Sequence, residues 1–195
     1  QKTAYEILTC DWSSDVCSSD LTRVVFGSPK NRDRSGLDDQ DALEMAIPFF
    51  RQLGDIAQAS GVTVCLEPNP TCYGANFMTT SAETAQVVRC VAHPAIRMQL
   101  DTGALTINGE NPLVVLHDCA ALIGHVHASE PDLLPLGDGG TNHGQMADTL
   151  SQYLPTHVVS IEMVATKDES HVASIERALQ VATQHYRKPD IEVRI

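Results

Sequence analysis

The chain has 195 residues and a formal net charge of −12 at pH 7. This acidic balance argues against a protein that grips nucleic acid through its phosphates, because those carry the same sign of charge. No segment approaches the length of apolar sequence that spans a membrane, so we expect a cytoplasmic protein with neither nucleic acid nor membrane as a partner.

Residues 1–21 are predicted to be a non-native leader without regular structure. The stretch "DWSSDVCSSDL" and the upstream "QKTAYE" resemble the translation, in one reading frame, of a common sequencing-library adapter, and "ILTC" between them occupies the place of an index barcode. We therefore expect the authentic chain to start near Thr22. The remaining residues, 22–195, keep four scattered cysteines without C-x-x-C spacing, which is typical of reduced cytosolic thiols.

From Thr22 onward, short apolar runs alternate with segments of helical periodicity. The first strand candidate, "TRVVFG", ends in the turn-prone "SPKNRDRSG". The helix that follows has apolar residues from Leu43 to Ala57, and Pro48 should bend it or mark a late start. "GVTVCLEP" is the second strand candidate. Thr80 and Glu83 then form a capping box that opens the next helix.

The second half of the chain continues the same alternation. "AIRMQLD" is the third strand candidate, "NPLVVLHDCAA" a short helix, "LIGHVHAS" the fourth strand, "GQMADTLSQYL" a helix and "HVVSIEM" the fifth strand. A last helix has its apolar face at Val172, Ile175, Leu179 and Ala182. Five strand–helix units predict parallel α/β architecture. An open doubly wound sheet should have a glycine-rich first turn, which this chain lacks.

Four potential metal ligands end successive strands: Glu67, Asp101, His127 and Glu162. A single carboxylate at a strand end is more often a helix cap or a solvated charge, but strand ends of a (β/α)8 barrel converge at one rim. Two glutamates, an aspartate and an imidazole form a mostly oxygen site that suits Mn²⁺, Mg²⁺ or Co²⁺, and Zn²⁺ also fits. Strand alternation turns His125 to the same face as His127.

The segments "CLEPNP", "QLDTGAL", "GHVHASEPD" and "SIEM", with their mutual spacings, resemble the sugar phosphate isomerase/epimerase superfamily. These xylose isomerase-like TIM barrels include D-tagatose 3-epimerase, hydroxypyruvate isomerase and inosose dehydratase. The resemblance covers about Val24 to Tyr186. It implies an α/β fold, a partial (β/α)8 TIM barrel in which residues 22–195 supply the C-terminal five β/α units, strands 4 to 8. It also implies one divalent metal held by the four strand-end residues.

The chemistry that the resemblance implies is the movement of a proton beside a carbonyl group of a small sugar or sugar phosphate. The metal would stabilise an enediolate, and Glu67 and Glu162 would be the catalytic acid/base pair. The first three strands, which complete the barrel in relatives, have no counterpart here, so the fragment alone is expected to be a poor catalyst. A homo-oligomer of the full-length protein is compatible with this reading.

Six further residues are candidates for substrate contacts: His125, Lys30, Arg32, Asn76, Glu130 and Asp138. Lys30 and Arg32 could neutralise a substrate phosphate or carboxylate, or form a solvated basic turn. His125 could orient a substrate oxygen, or be an inward structural histidine. Asn76 could hydrogen-bond to sugar or shape its own loop.

Three alternatives remain open at this stage. Ketose epimerases tend to have a histidine three residues after the aspartate, where this chain has Ala104, which weakens a 3-epimerase assignment. The first alternative is a sugar-acid or inositol dehydratase, which shares the same first step, removal of a proton beside a carbonyl group. A non-catalytic metal- or sugar-binding relative is a second alternative. The third, a nuclease similar to endonuclease IV, is disfavoured by the negative charge and the short ligand set.

Overall fold

The computed structural model describes residues 22–187, so the predicted leader lies outside the described residues. Five strands form one parallel sheet in sequence order: β1 (Arg23–Phe26), β2 (Thr63–Leu66), β3 (Ile96–Asp101), β4 (Ile123–Ala128) and β5 (Val159–Ile161). The sheet curls into part of a barrel. The described residues also form six α-helices: α1 (Asp39–Ala59), α2 (Ser81–Val91), α3 (Thr102–Asn108), α4 (Pro112–Cys119), α5 (His143–Tyr153) and α6 (His171–Tyr186). The predicted fold class is confirmed.

The hydrophobic core lies between the outer face of the sheet and the helices. Leu66, Leu100 and Val126 alternate with the residues that face the inside of the barrel, and all three are fully buried. They pack in one cluster with Phe50 of α1 and Leu116 of α4. Each large apolar side chain buried in this way contributes about 1.5–3 kcal/mol. Because the outer residues hold the strands against the helices, the alternating residues are left for the inner face.

Helix α1 runs through Pro48 without interruption. The expected late start at this proline is wrong, because the side chain of Asp38, ten residues earlier, caps the helix by accepting from the Asp41 amide. Pro48 removes the amide that would bond to the Glu44 carbonyl. Both residues are exposed, so water can bond to that carbonyl instead.

Helix α3 is a helix that the sequence pattern did not predict. It begins directly after β3, because Asp101 ends the strand and caps the helix at once. The Oδ1 atom of Asp101 accepts a hydrogen bond from the Ala104 amide at 2.6 Å. Because no turn segment separates the strand from the helix, the sequence has no turn signal that marks where the helix begins.

Helix α6 is confirmed, but only Ala182 of its predicted apolar face packs against a buried apolar cluster, the one that contains Ala178. Val172, Ile175 and Leu179 are about half to two-thirds exposed, and the buried positions are Ser174 and Ala178. The helix follows β5, which is an edge of the sheet, so no further β/α unit of the described residues covers that face. In the same part of the chain, no helix combines the length and apolarity needed to cross a membrane.

Candidate metal centre

The carboxyl ends of four strands bring the predicted ligands together. Glu67 follows β2, Asp101 ends β3, His127 lies in β4 and Glu162 follows β5. The register pairs Asp101 with His127 across β3 and β4. It also pairs His127 with Ser160 across β4 and β5. Since all strands are parallel, their carboxyl ends share one rim of the sheet.

Each of the four residues offers one ligand atom, and these four atoms all lie within 4.8 Å of one another. The Nδ1 atom of His127 is 3.1 Å from Oε2 of Glu162, 3.7 Å from Oε1 of Glu67 and 3.9 Å from Oδ2 of Asp101. Glu67 and Asp101 are buried, and the other two are half-buried. One atom placed among them could contact all four side chains.

The three carboxylates create a strong preference for positive charge at this rim. Burial would lower the pKa of His127, but the hydrogen bond with Glu162 and the nearby carboxylate of Glu67 outweigh burial and raise that pKa to about 10. Burial, followed by the charge of Glu67, raises the pKa of Asp101. The hydrogen bond from His127 lowers the pKa of Glu162. A cation among these carboxylates is therefore stabilised.

Neighbouring groups hold the ligands in place. Besides capping α3, Asp101 accepts a hydrogen bond at Oδ2 from the Ser129 hydroxyl at 2.7 Å. Ser129 in turn accepts from the Gly103 amide at 2.9 Å. Glu67 packs against Gly27, where a Cβ atom would overlap its Oε2 atom. The absence of a side chain at Gly27 thus leaves room for the Glu67 carboxylate.

The donor set fits a divalent cation. Oε1 of Glu67 is buried and has no hydrogen-bond partner among the described residues, although a buried carboxylate oxygen without a partner is costly. A cation held by the cluster would satisfy it. Three carboxylates and one imidazole are the ligands that Mn²⁺, Mg²⁺, Co²⁺ or Zn²⁺ accept.

A cavity of about 500 Å³ opens beside the cluster, and Glu67, Asp101 and Glu162 line it. Two lining residues were missed by the sequence analysis. Asn69 donates from Nδ2 to the Gly27 carbonyl at 2.8 Å, and the hydroxyl of Tyr73 accepts from the Asp132 amide at 2.7 Å. Both lie in the loop after β2, and only their closeness to Glu67 in "CLEPNPTCY" could have indicated them.

The predicted basic residues of the loop after β1 do not line this cavity. Lys30 is exposed. Arg32 is buried, and its guanidinium donates to the backbone carbonyls of Phe26 and Glu67. Asn76 also lies elsewhere, where its side chain bonds to the Arg34 amide and to Asp33. Arg32 and Asn76 therefore hold loops in this structure.

Of the predicted substrate contacts Glu130 and Asp138, only Glu130 is placed at the cavity. Glu130 lines the cavity, but its two oxygens already accept from the amides of Gly137 and Thr141. Asp138 makes a two-pronged ion pair with Arg177.

His125 lies next to His127, with ring centroids 5.2 Å apart, and does not line the cavity. Burial, with His127 as a second cause, lowers the pKa of His125. It lies two residues before His127 on β4, which makes it a neighbour of a proposed ligand.

Comparison with known proteins places the chain among related folds. A family model described as xylose isomerase-like TIM barrel matches residues 16–185. No curated protein sequence matches the chain. A D-psicose 3-epimerase from Clostridium cellulolyticum H10, solved with D-tagatose, is 18% identical with a TM-score of 0.70, and the alignment covers 80% of this chain and 61% of that one.

Two further solved structures are similar. A D-psicose 3-epimerase solved in the presence of D-fructose is 16% identical with a TM-score of 0.74, covering 89% of this chain and 67% of that one. The IolI protein with a bound zinc atom is 18% identical with a TM-score of 0.71, covering 90% and 66%. At these identities the likeness establishes the fold. The chain spans about three-fifths to two-thirds of the length of these proteins.

Proposed function

Because the chain belongs to the xylose isomerase-like TIM barrel family, we propose that it is a divalent-metal-dependent isomerase or epimerase of a small sugar or hydroxy-carbonyl compound. The observation that carries this proposal is the convergence of Glu67, Asp101, His127 and Glu162 at one rim, beside a cavity. The solved structures that share the fold include sugar epimerases. We further propose that residues 22–195 are the C-terminal five β/α units of such a barrel.

The four residues would hold the metal, each through one atom. A divalent ion there would stabilise the negative charge that develops on substrate oxygens when a proton leaves the adjacent carbon. Asp101 is the fixed member of the set, since it is bonded to the Ala104 amide and the Ser129 hydroxyl.

Glu67 and Glu162 are proposed as the acid/base pair. Both line the cavity, and each carboxylate has a second oxygen that can take or return a proton. Pro68, Pro70 and Leu133 contribute apolar walls to the same cavity.

Solvent exchange tests this function. The chain is freed of metal with a chelator, reloaded with MnCl₂ and incubated in D₂O with neutral and charged candidate sugars, and mass spectrometry follows the products. We expect carbon-bound deuterium to appear only with metal. Products lighter by one water would identify a dehydratase. Exchange that proceeds equally well without metal would contradict the proposed function.

A further inference from the structure

We propose that His143 and Tyr186 are positioning residues for the metal centre. They act through the loop after β4 (residues 129–142), which they fix and which in turn orients the ligand Asp101. This inference rests on the proposed function, because it concerns the metal that Asp101 would hold. It follows from a buried chain of hydrogen bonds between α6 and the loop, from a strained stretch of the loop at the cavity, and from the bond between the loop and Asp101.

The chain of hydrogen bonds begins in α6 and runs through an imidazole to a carboxylate. The Tyr186 hydroxyl lies 2.6 Å from Nδ1 of His143, and Nε2 of the same ring lies 2.9 Å from Oε1 of Glu130. His143 is 4% exposed and Glu130 is 1% exposed. Since a carboxylate can only accept, Nε2 donates to Glu130, and Nδ1 of the neutral ring accepts the proton of Tyr186. Removal of the Tyr186 hydroxyl would therefore leave a buried nitrogen without its donor.

Glu130 connects this chain of hydrogen bonds to the backbone of the loop. Its Oε1 atom also accepts from the Gly137 amide at 2.7 Å, and its Oε2 atom accepts from the Thr141 amide at 2.8 Å. Helix α6 contacts the same loop a second time, where Arg177 donates to both carboxylate oxygens of Asp138 at 2.8 and 2.9 Å. The last helix therefore holds the loop at two separate points.

The anchored loop has a conformation that needs support. Asp132 and Leu133 both have positive φ, 58° and 54°, which is costly for residues other than glycine. Such residues persist only where the surrounding contacts determine their conformation. Leu133 lines the cavity. The contacts that hold this stretch of the loop therefore also hold one wall of the proposed active site.

The loop begins at Ser129, which bonds directly to a proposed metal ligand. The Ser129 hydroxyl donates to Oδ2 of Asp101 at 2.7 Å. Its carbonyl accepts from the Thr102 hydroxyl at 2.8 Å and from the Thr141 hydroxyl at 3.3 Å. Because the Thr141 amide donates to Glu130, a displacement of Glu130 would reach Ser129 and then the ligand. Hydrogen bonds of this kind orient metal ligands, so their loss should appear as weaker metal binding.

Calorimetric titration of the chain with MnCl₂ tests this inference without relying on turnover. Tyr186→Phe keeps the ring and removes the hydroxyl, and we expect the Kd for Mn²⁺ to rise by about three- to tenfold. Tyr153→Phe in α5 is the control, because Tyr153 packs against the hydrophobic core and does not line the cavity. Its Kd should equal that of the wild type. Unchanged affinity in Tyr186→Phe would overturn the inference and leave the proposed function standing.

A conservative replacement of His143 separates positioning from packing. In His143→Gln, the side-chain amide can still donate to Glu130 and accept from Tyr186, so we expect a Kd within about twofold of the wild type. His143→Leu has no polar group there, and its Kd should rise at least as much as that of Tyr186→Phe. Equal Kd values in the two His143 variants would show that the ring only fills space, which would overturn its positioning role.

A double-mutant cycle tests the route to the metal. Ser129→Ala removes the hydrogen bond to Asp101 and should raise the Kd for Mn²⁺ by about 10- to 100-fold. Tyr186→Phe added to Ser129→Ala should change the Kd by less than about twofold further, because the connection to Asp101 is already broken. Two effects that simply multiply would overturn the inference. A wild-type chain that binds no Mn²⁺ would contradict both this inference and the proposed function.

Discussion

The carboxyl ends of β2 to β5 and the loop after β1 both carry charged side chains, but the charges have different partners. At the strand ends, Glu67, Asp101 and Glu162 surround His127, and one oxygen of Glu67 has no hydrogen-bond partner within residues 22–187. In the loop, every guanidinium hydrogen bond of Arg32 goes to a backbone carbonyl. The first region keeps binding capacity for a ligand, and the second has used its capacity to fix the chain.

The difference shows which charges are available for function. A strand pairs its own backbone through the ladder, so fewer unpaired backbone groups surround the side chains at its end than surround side chains in a loop. A loop has no ladder, and its unpaired carbonyls draw donors from nearby side chains. A charged residue at a strand end is therefore a better candidate for a catalytic or ligand-binding role than a charged residue in the loop after β1.

Removing a proposed acid/base group should have the largest effect. We expect Glu67→Gln and Glu162→Gln each to lower kcat for solvent exchange by about 10²- to 10⁴-fold. Glu176→Gln, on the exposed face of α6, is the matched control and should leave kcat unchanged. Full activity in either strand-end variant would place the proton transfer on other groups.

Replacing Arg32 and Lys30 in turn should show which cation of the loop after β1 stabilises the fold. Arg32→Met should lower the free energy of unfolding by about 2–4 kcal/mol, because two buried carbonyls lose a charged donor. Lys30→Met should change it by less than about 0.5 kcal/mol, since Lys30 is exposed. Urea unfolding measures both. Equal effects would show that burial does not distinguish these two cations.

Filling the space at Gly27 should disturb the metal centre without changing a ligand. In Gly27→Ala, the new methyl group would displace the Glu67 carboxylate, and we expect Mn²⁺ affinity to fall by about 10- to 100-fold. Gly144→Ala is the control, because the nearest atom to its Cβ would be 3.6 Å away. Titration with Mn²⁺ gives both affinities, and unchanged binding in Gly27→Ala would show that Glu67 is not a ligand.

The smallest effect concerns Glu130, a strand-end carboxylate that is used structurally. Burial alone would raise its pKa, but hydrogen bonds from Thr141, His143 and Gly137 together lower it. A lowered folded-state pKa stabilises the fold above the ordinary glutamate pKa of about 4.3, and this stability is lost as the pH falls through the lowered value. Wild type should be more stable than Glu130→Gln at pH 7, and urea unfolding should show the gap narrowing below about pH 4. A gap independent of pH would be inconsistent with this account.

Much of the fold could be predicted from the sequence because its strands are short valine-rich runs, and their ends carry the residues that the structure brings together. Helix α3 could not, since Asp101 serves as strand end and helix cap at once. The structural use of Arg32 was not predictable either. Its acceptors are the backbone carbonyls of Phe26 and Glu67. Since every residue has a backbone carbonyl, no residue type in the sequence indicates them. Tyr73 escaped for a similar reason, because the Asp132 amide that fixes it belongs to a distant loop.

The most direct test of the metal centre is a crystal of the chain soaked with MnCl₂, with anomalous diffraction recorded for manganese. We predict one strong anomalous peak within about 2.0–2.4 Å of a ligand atom of each of Glu67, Asp101, His127 and Glu162. Manganese bound elsewhere, or no peak among these four side chains, would contradict the account.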